Sequence, residues 1–404
     1  MSRDRSGKAS VTNPVTTPVT SPVTVPVTDI LVYRDVAARV QAVLLEDGQA
    51  VEWIRPQRPG AAVRQDIILG RIEAIEPALN GAFVAIGQTE NGLLPLKEAP
   101  ANLKVGQSLV VQIRRLTTLT DDVTSSRSCD AGSDDPIDRG PASQPVNRST
   151  KGHLLTTRIQ YPGLFIVYEP IGDHQILRSK ARPLDETMRT TLTAQELQVL
   201  KDQHSQVLAA ATAPGTLPRL LLRPNETVPT ALQSWSSLNL RSFQVSDLEL
   251  FQEADRYLAA RWPALLPKLR LHAGSFDLAA VFRLTDLARE ASRRRILLKN
   301  GGSIVLDQTE ALLAIDVNSG QARASEPARL RLQTNLLAAT EIARQLRLRN
   351  IVGLVVVDFI RLADATARQE LVAAFTAALA ADRSKITIGG MTSLGLFELI
   401  RQAT

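Results

Sequence analysis

GGSIVLDQTEALLAIDVNSG (301–320) and, shortly after it, TNLLAATEIARQLRLRNIVGLVVVDFI (334–360) decide the fold of this chain. GGSIVLDQ and EALLAIDVNSG read as a strand pair. SEPARLRLQTNLLAATEIARQLRLRN reads as a long helix, with Ser325 as N-cap and Pro327 in its first turn. NIVGLVVVDFI reads as a buried strand, residues 364–382 as a second amphipathic helix, and KITIGG (385–390) as a closing strand. Strand, helix, strand, helix, strand predicts an α/β unit with a largely covered sheet.

Both apolar strands end in an aspartate, Asp316 and Asp358. Adjacent strands joined by a crossover helix would set these carboxylates side by side, at the kind of strand end where α/β folds bind ligands. A carboxylate after four or five apolar residues is costly to desolvate unless it is paired or bound to a cation. Mg²⁺ is a natural solution, because it takes one or two carboxylates and keeps water or phosphate oxygens in its other positions. Asn318, two residues past Asp316, points to the same face and adds a neutral polar group. Such a set permits metal-assisted hydrolysis of a phosphodiester by water. A plainer reading stays open: Asp316 caps the turn before Ser319–Gly320, and Asp358 pairs with an arginine of the long helix.

Upstream, ILVYRDVAARVQAVLLEDGQAVEWIRP (30–56) gives two or three strands, with turns at Glu46-Asp47-Gly48 and Arg58-Pro59-Gly60. DIILGRIEAIEPALNGAFVAIGQTENGLLPLKEAP (66–100) and KVGQSLVVQIRRL (104–116) are short strands parted by Gly, Asn and Pro turns, the pattern of a small OB-fold β-barrel. Residues 117–150 interrupt it as a flexible insertion before LLTTRIQ resumes. Strands LFIVYE and HQILRS, a helix around 193–212, a strand at LPRLLLRP and helices within 246–262 and 275–290 follow. The dense Pro-Val-Thr repeat of residues 11–28 cannot keep a helix or paired strand and is expected to be a disordered leader.

The chain of 404 residues carries 47 basic and 41 acidic side chains, a formal net charge of +6, and most of the basic residues are Arg. That balance suits a polyanion, since Arg forks match phosphate. The single cysteine, Cys129, excludes an internal disulfide and a cysteine-based zinc site. No apolar run approaches the roughly 20 residues a spanning helix needs, so the expectation is a cytoplasmic protein with no membrane partner.

The 301–360 motifs resemble the core signature of the bacterial ribonuclease E/G family. GRIEAIEPALNGAFVAIG (70–87) with NGLLPLKE (91–98) is similar to that family's RNA-binding OB-type domain. The resemblance covers roughly 29–404, with both motifs in the family's order. It implies a ribonuclease-H-like subdomain interrupted by an OB-fold and a sensor for the RNA 5′ end, then a DNase-I-like catalytic subdomain. The corresponding divisions are a leader at 1–28, ribonuclease-H-like parts at 29–61 and 217–291, an OB-fold at 62–157, a reduced sensor-like region at 158–216 and a catalytic subdomain at 292–404.

By resemblance, Asp316 and Asp358 are the Mg²⁺ ligands, Asn318 supports metal and scissile phosphate, and Phe83 is the aromatic that stacks a base on the barrel. Lys97 beside the barrel, Arg178 in ILRSK, and Arg344 and Arg347 at the end of the long helix are candidate RNA contacts; for the helix arginines a dipole-matching role is the alternative. The implied activity is Mg²⁺-dependent endonucleolytic hydrolysis of single-stranded RNA, mRNA or ribosomal RNA precursors, leaving 5′-phosphates. The alternative is an RNA-binding protein of the same fold with weak or lost catalysis.

Departures from the family pattern are specific. Leu93 stands where an aromatic is usual, Ser393-Leu394-Gly395 where Arg-Phe-Gly is usual, and Leu337 where a glutamate is usual. No Arg-Thr pair of the monophosphate pocket precedes LPRLLLRP. The sequence reaches Thr404 without the Cys-Pro-x-Cys element, so the reading is a short, ribonuclease G-like core with no zinc link, and a homodimer is possible only through another interface.

Overall fold

The computed structural model describes residues 26–116, 153–274, 276–320 and 327–402. The Pro-Val-Thr leader up to residue 25, the 117–150 insertion with Cys129, and the Ser325 cap lie outside the described residues.

Three antiparallel strands open the fold: β1 (Thr28–Arg34), β2 (Val40–Glu46) and β3 (Gln49–Ile54). Asp47 and Gly48 between β2 and β3 both take positive φ, 48° and 80°, the backbone that lets a two-residue hairpin follow strand twist. Next come β4 (Ile67–Glu76), β5 (Gly81–Ala85), β6 (Gly92–Pro95), β7 (Ser108–Arg115) and β8 (Leu154–Thr156). β4 pairs with both β5 and β7 while β8 joins β6 to β7, which closes a five-stranded barrel consistent with an OB-fold. Ile72, Val84, Leu94, Val111 and Leu155 fill it.

A small antiparallel sheet, β9 (Tyr161–Pro162), β10 (Ile166–Glu169) and β11 (His174–Leu177), packs beside α1 (Glu186–Thr212). Asp185 caps that helix by accepting from the Met188 N–H at 2.8 Å. β12 (Arg219–Leu222) then adds to the barrel through β4, a pairing between segments about 150 residues apart. After it, α2 (Thr227–Trp235), β13 (Leu240–Val245), α3 (Leu248–Arg261) and β14 (Leu269–Leu271) complete the first sheet in the order β14-β13-β1-β2-β3. β1 is buried on both sides. Ile30 and Val32 face α2 and α3, and Leu31 and Tyr33 face α4 (Leu278–Val281) and α5 (Leu287–Ser292). The single helix expected within 275–290 is therefore two short ones, parted near Arg283, whose φ of 55° is incompatible with continuing a right-handed helix.

The last unit contains β15 (Arg295–Leu297), β16 (Ser303–Gln308), β17 (Leu312–Asn318), α6 (Pro327–Leu348), β18 (Gly353–Asp358), α7 (Ala365–Leu379), β19 (Ile386–Met391) and β20 (Leu396–Arg401). Its sheet runs β15-β16-β17-β18-β20-β19, with β17 and β18 parallel and the other neighbours antiparallel. α6 and α7 pack on one face in a single core that includes Ile304, Ile315, Val357, Ile342 and Phe375. The expectation of a largely covered sheet is corrected here. β17 alternates buried and accessible residues from Leu312 to Asn318, so its second face is open to solvent. No helix of the described residues is long and apolar enough to cross a membrane.

Candidate active site

The pleat of β17 sends Leu313, Ile315 and Val317 into the core and leaves Ala314, Asp316 and Asn318 on the open face. β18 does the same with Val355 and Val357 inward and Val356 and Asp358 outward. In the parallel β17–β18 pair, Asp316 and Asp358 are register partners. Two carboxylates thus stand side by side on one solvent-facing surface, one strand spacing apart.

Their neighbours leave them uncommitted. Asp316 accepts a hydrogen bond from Asn318 Nδ2 at 2.7 Å, and among the described residues neither aspartate carries an ion pair. Asp358 therefore does not pair with an arginine of the long helix, and the Asp316 carboxylate is engaged by Asn318 instead of by the turn. The desolvation argument made from the sequence is also corrected: both aspartates are exposed, because the apolar run before each is an alternation and only every second residue is buried.

Polar groups hidden behind the sheet hold the two strand ends. Asn335 of α6 is fully buried, donates to Ile360 O at 2.7 Å and accepts from Ile360 N at 3.0 Å, fixing the backbone just past Asp358. Thr334, also fully buried, accepts from Asn300 Nδ2 at 2.7 Å, and Asn300 Oδ1 accepts from Gly302 N at 3.2 Å. The 298–302 turn is thereby tied to the helix. A Cβ on Gly302 would lie 2.8 Å from Asn318 O, so only glycine lets this turn rest on the end of β17. Thr334 and Asn335 were not singled out from the sequence, although two adjacent polar residues on the buried stripe of an apolar helix are a readable signal.

Like-signed carboxylates with no cationic partner suit a divalent cation. Among the described residues no three His, Cys, Asp or Glu side chains converge. The donor set is thus two carboxylates, which fits Mg²⁺, an ion that retains water or phosphate oxygens in its remaining positions, better than it fits a closed structural site.

The other expected contacts divide. Phe83 lies on the outer face of the barrel, half-buried and outside its core, as the register partner of Leu93. Lys97 is exposed in the 3-10 turn after β6. Arg344 and Arg347 are both engaged by carboxylates. Arg344 pairs with Glu290 and Glu341, and Arg347 with Glu46 at 2.6 Å and Glu52 at 3.0 Å, with side-chain exposures of 10% and 6%. They tie α6 to the first sheet, so each would have to share its guanidinium with these carboxylates to reach RNA.

Arg178 borders a cavity of about 370 Å³ together with Gln233, Arg383 and Trp235. It donates to Gly163 O and to Gln233 Oε1, has no carboxylate partner among the described residues, and burial pulls its pKa below the usual arginine range. The turn before β20, Ser393-Leu394-Gly395, is exposed and uncharged beside Leu396, the register partner of Asp358.

Residues 168–404 match the Ribonuclease E/G family. The chain is 28% identical over 405 residues to "Ribonuclease E" of Escherichia coli strain K12, covering 89% of this chain and 35% of that protein. It is 27% identical over 405 residues to "Ribonuclease E" of Haemophilus influenzae, covering 89% and 40%. A third relative, "Ribonuclease E" of Nostoc sp., is 31% identical over 353 residues, covering 83% and 51%. The chain therefore spans between about a third and a half of the length of these relatives.

Proposed function

The chain belongs to the ribonuclease E/G family, and from that premise we propose that it is an Mg²⁺-dependent endoribonuclease that hydrolyses single-stranded RNA at the Asp316–Asp358 face. The observation that carries this reading is the register pairing of two exposed aspartates with no cationic partner among the described residues.

When bound, the cation polarises the phosphodiester and makes water a stronger nucleophile. Asp316 and Asp358 would hold it, each giving a carboxylate oxygen from a strand that a packed core keeps rigid. Asn318 fixes the Asp316 carboxylate through its Nδ2 hydrogen bond and leaves its amide oxygen as an acceptor for water or a ribose hydroxyl. Water adds at phosphorus and the P–O3′ bond breaks, so the products carry a 5′-phosphate and a 3′-hydroxyl. The sheet's open face admits an extended strand, and the exposed position of the pair agrees with a polymeric substrate.

RNA is gripped elsewhere by Phe83, on which a base stacks, and by Lys97, which meets a phosphate. Arg178, a cation with no carboxylate partner among the described residues, lies at a cavity wall and would take a further phosphate. In this reading the ribonuclease-H-like sheet, β14-β13-β1-β2-β3, is a scaffold and the β15–β20 unit is the DNase-I-like catalytic subdomain.

The test is cleavage of an end-labelled, A/U-rich single-stranded RNA with Mg²⁺, comparing the wild type with Asp316→Asn, Asp358→Asn and an EDTA control. Loss of cleavage in all three controls is expected. The uncharged Ser393–Gly395 turn beside Asp358 favours a second reading, an RNA-binding protein with lost turnover; RNA binding with no cleavage by the wild type would establish it.

A further inference from the structure

On the open face of the β15–β20 sheet, Arg295 stands in line with the carboxylate pair. The β15–β16 register sets Arg295 opposite Val305, the β16–β17 register sets Val305 opposite Asp316, and Asp316 is opposite Asp358. Arg295, Val305, Asp316 and Asp358 thus form a lateral row across four strands. Arg295 lies two strands, roughly 10 Å, from Asp316 at the usual spacing of about 4.8 Å per strand. Its neighbour Ile296 packs against the core, which sends Arg295 outward.

The guanidinium is held but not consumed. Arg295 Nε donates to Ser303 Oγ at 3.2 Å, and Ser303, fully buried, is the register partner of Asn318. That bond aims the side chain along β16 toward the Asn318 end of the site. Both terminal nitrogens are left without a carboxylate partner among the described residues, in contrast to Arg294, which is paired with Asp307. A guanidinium fixed through Nε beside a dianionic, exposed pair presents its remaining donors to a strand lying across the face.

We infer that Arg295 is a positioning residue that binds the backbone phosphate of single-stranded RNA next to the one at Asp316 and Asp358, and so sets the direction in which the strand crosses the sheet. The inference rests on the proposed nuclease site.

The experiment measures affinity for a fluorescent single-stranded oligoribonucleotide across a salt series, in the full chain carrying Asp316→Asn, with and without Arg295→Ala, Arg295→Lys or Arg294→Ala. Loss of one charge-assisted phosphate contact is expected to weaken binding by about tenfold or more. It should lower the slope of log Kd against log salt by about 0.7, the single-strand value per phosphate. Arg295→Lys should keep the slope while losing part of the affinity, and Arg294→Ala should leave both unchanged. An unchanged slope in Arg295→Ala, or an equal loss in Arg294→Ala, overturns the inference. Cleavage by Asp316→Asn at the wild-type rate would instead overturn the nuclease site, and the salt slope would still report on Arg295.

Discussion

Asp316 and Asp358 are register partners on neighbouring parallel strands, and both project onto the uncovered face of their sheet. Like charges placed opposite each other cost roughly 0.2–1 kcal/mol, so without a cation this pair is a local liability. Asp316→Asn and Asp358→Asn are therefore expected to abolish cleavage while leaving thermal stability unchanged or slightly raised. Adding Mg²⁺ should raise the wild-type melting temperature by a few degrees, as binding at ~100 Kd contributes about 2.7 kcal/mol, and should not move either variant. Differential scanning fluorimetry with and without Mg²⁺ decides it; an equal Mg²⁺ shift in all three proteins would remove the aspartates from the metal site.

Gly301 and Gly302 separate two effects of a side chain in the turn beside Asn318. Gly301 has a φ of 84° and open space around a Cβ, whereas a Cβ on Gly302 would meet Asn318 O and Thr334 Cγ2, both at 2.8 Å. Gly301→Ala should cost about 1 kcal/mol through backbone strain and keep its activity. Gly302→Ala must displace the end of β17, at about 1–3 kcal/mol, and is expected to lose most of its cleavage rate because Asn318 moves with it. Equal activity in the two variants at matched folded fraction would show that Asn318 placement does not depend on this contact.

Glu52 joins the two large sheets. It sits on β3 and accepts from Trp235 Nε1 of α2, Arg347 of α6 and Arg383 before β19. Burial by itself would raise its pKa, but the Arg383 hydrogen bond and the Arg383 and Arg347 charges outweigh that, and the carboxyl is held below the usual value of 4.5. A depressed folded pKa contributes stability that is complete above pH 4.5 and is lost as the pH falls through the folded value. Glu52→Gln should cost roughly 3 kcal/mol at pH 7, because two arginines lose a buried partner, and the gap to wild type should narrow in acid. Urea melts at pH 7 and at pH 3 test this; a gap of the same size at both would assign the loss to packing alone.

Much of this fold could be read from local sequence. The alternation in LLAIDVN and GLVVVD, the turns at Asp47–Gly48 and Asn80–Gly81, and the caps at Asp185 and Asp364 act over a few residues, and each appears where its chemistry places it. Asp316 and Asp358 stand out in the sequence because a charge that ends an apolar strand is conspicuous, and the structure sets them side by side. What local sequence does not show is long-range. Arg344 and Arg347 look like free cations until Glu290, 54 residues away, and Glu46, 301 residues away, are brought to them. The open face of the β15–β20 sheet is hidden for a related reason: Leu312, Ala314 and Val356 are apolar yet lie on the solvent side, so a one-sided strand looks like a two-sided one.

Phe83 and Leu93 give the RNA-gripping reading its sharpest test, because they are register partners on the outer surface of the barrel and neither belongs to its core. Phe83→Ala removes a flat ring from a half-exposed position, so the stability loss should stay small. If a base stacks there, affinity for single-stranded RNA should fall by the ~1–3 kcal/mol that such a contact supplies, about fivefold to 150-fold. Leu93 presents a branched side chain where a second ring could extend the platform. A Cβ on Gly81 would lie 2.5 Å from Leu93 Cδ1, so Gly81 keeps the floor beneath that side chain clear. Leu93→Phe is therefore expected to fit and to tighten RNA binding, and in a Phe83→Ala background its gain should shrink because one ring alone holds fewer stacked bases. Anisotropy titrations of the four proteins form a double-mutant cycle. A coupling energy near zero would mean that the two positions do not share one base-stacking surface, and unchanged affinity in Phe83→Ala would move the RNA path off this face of the barrel.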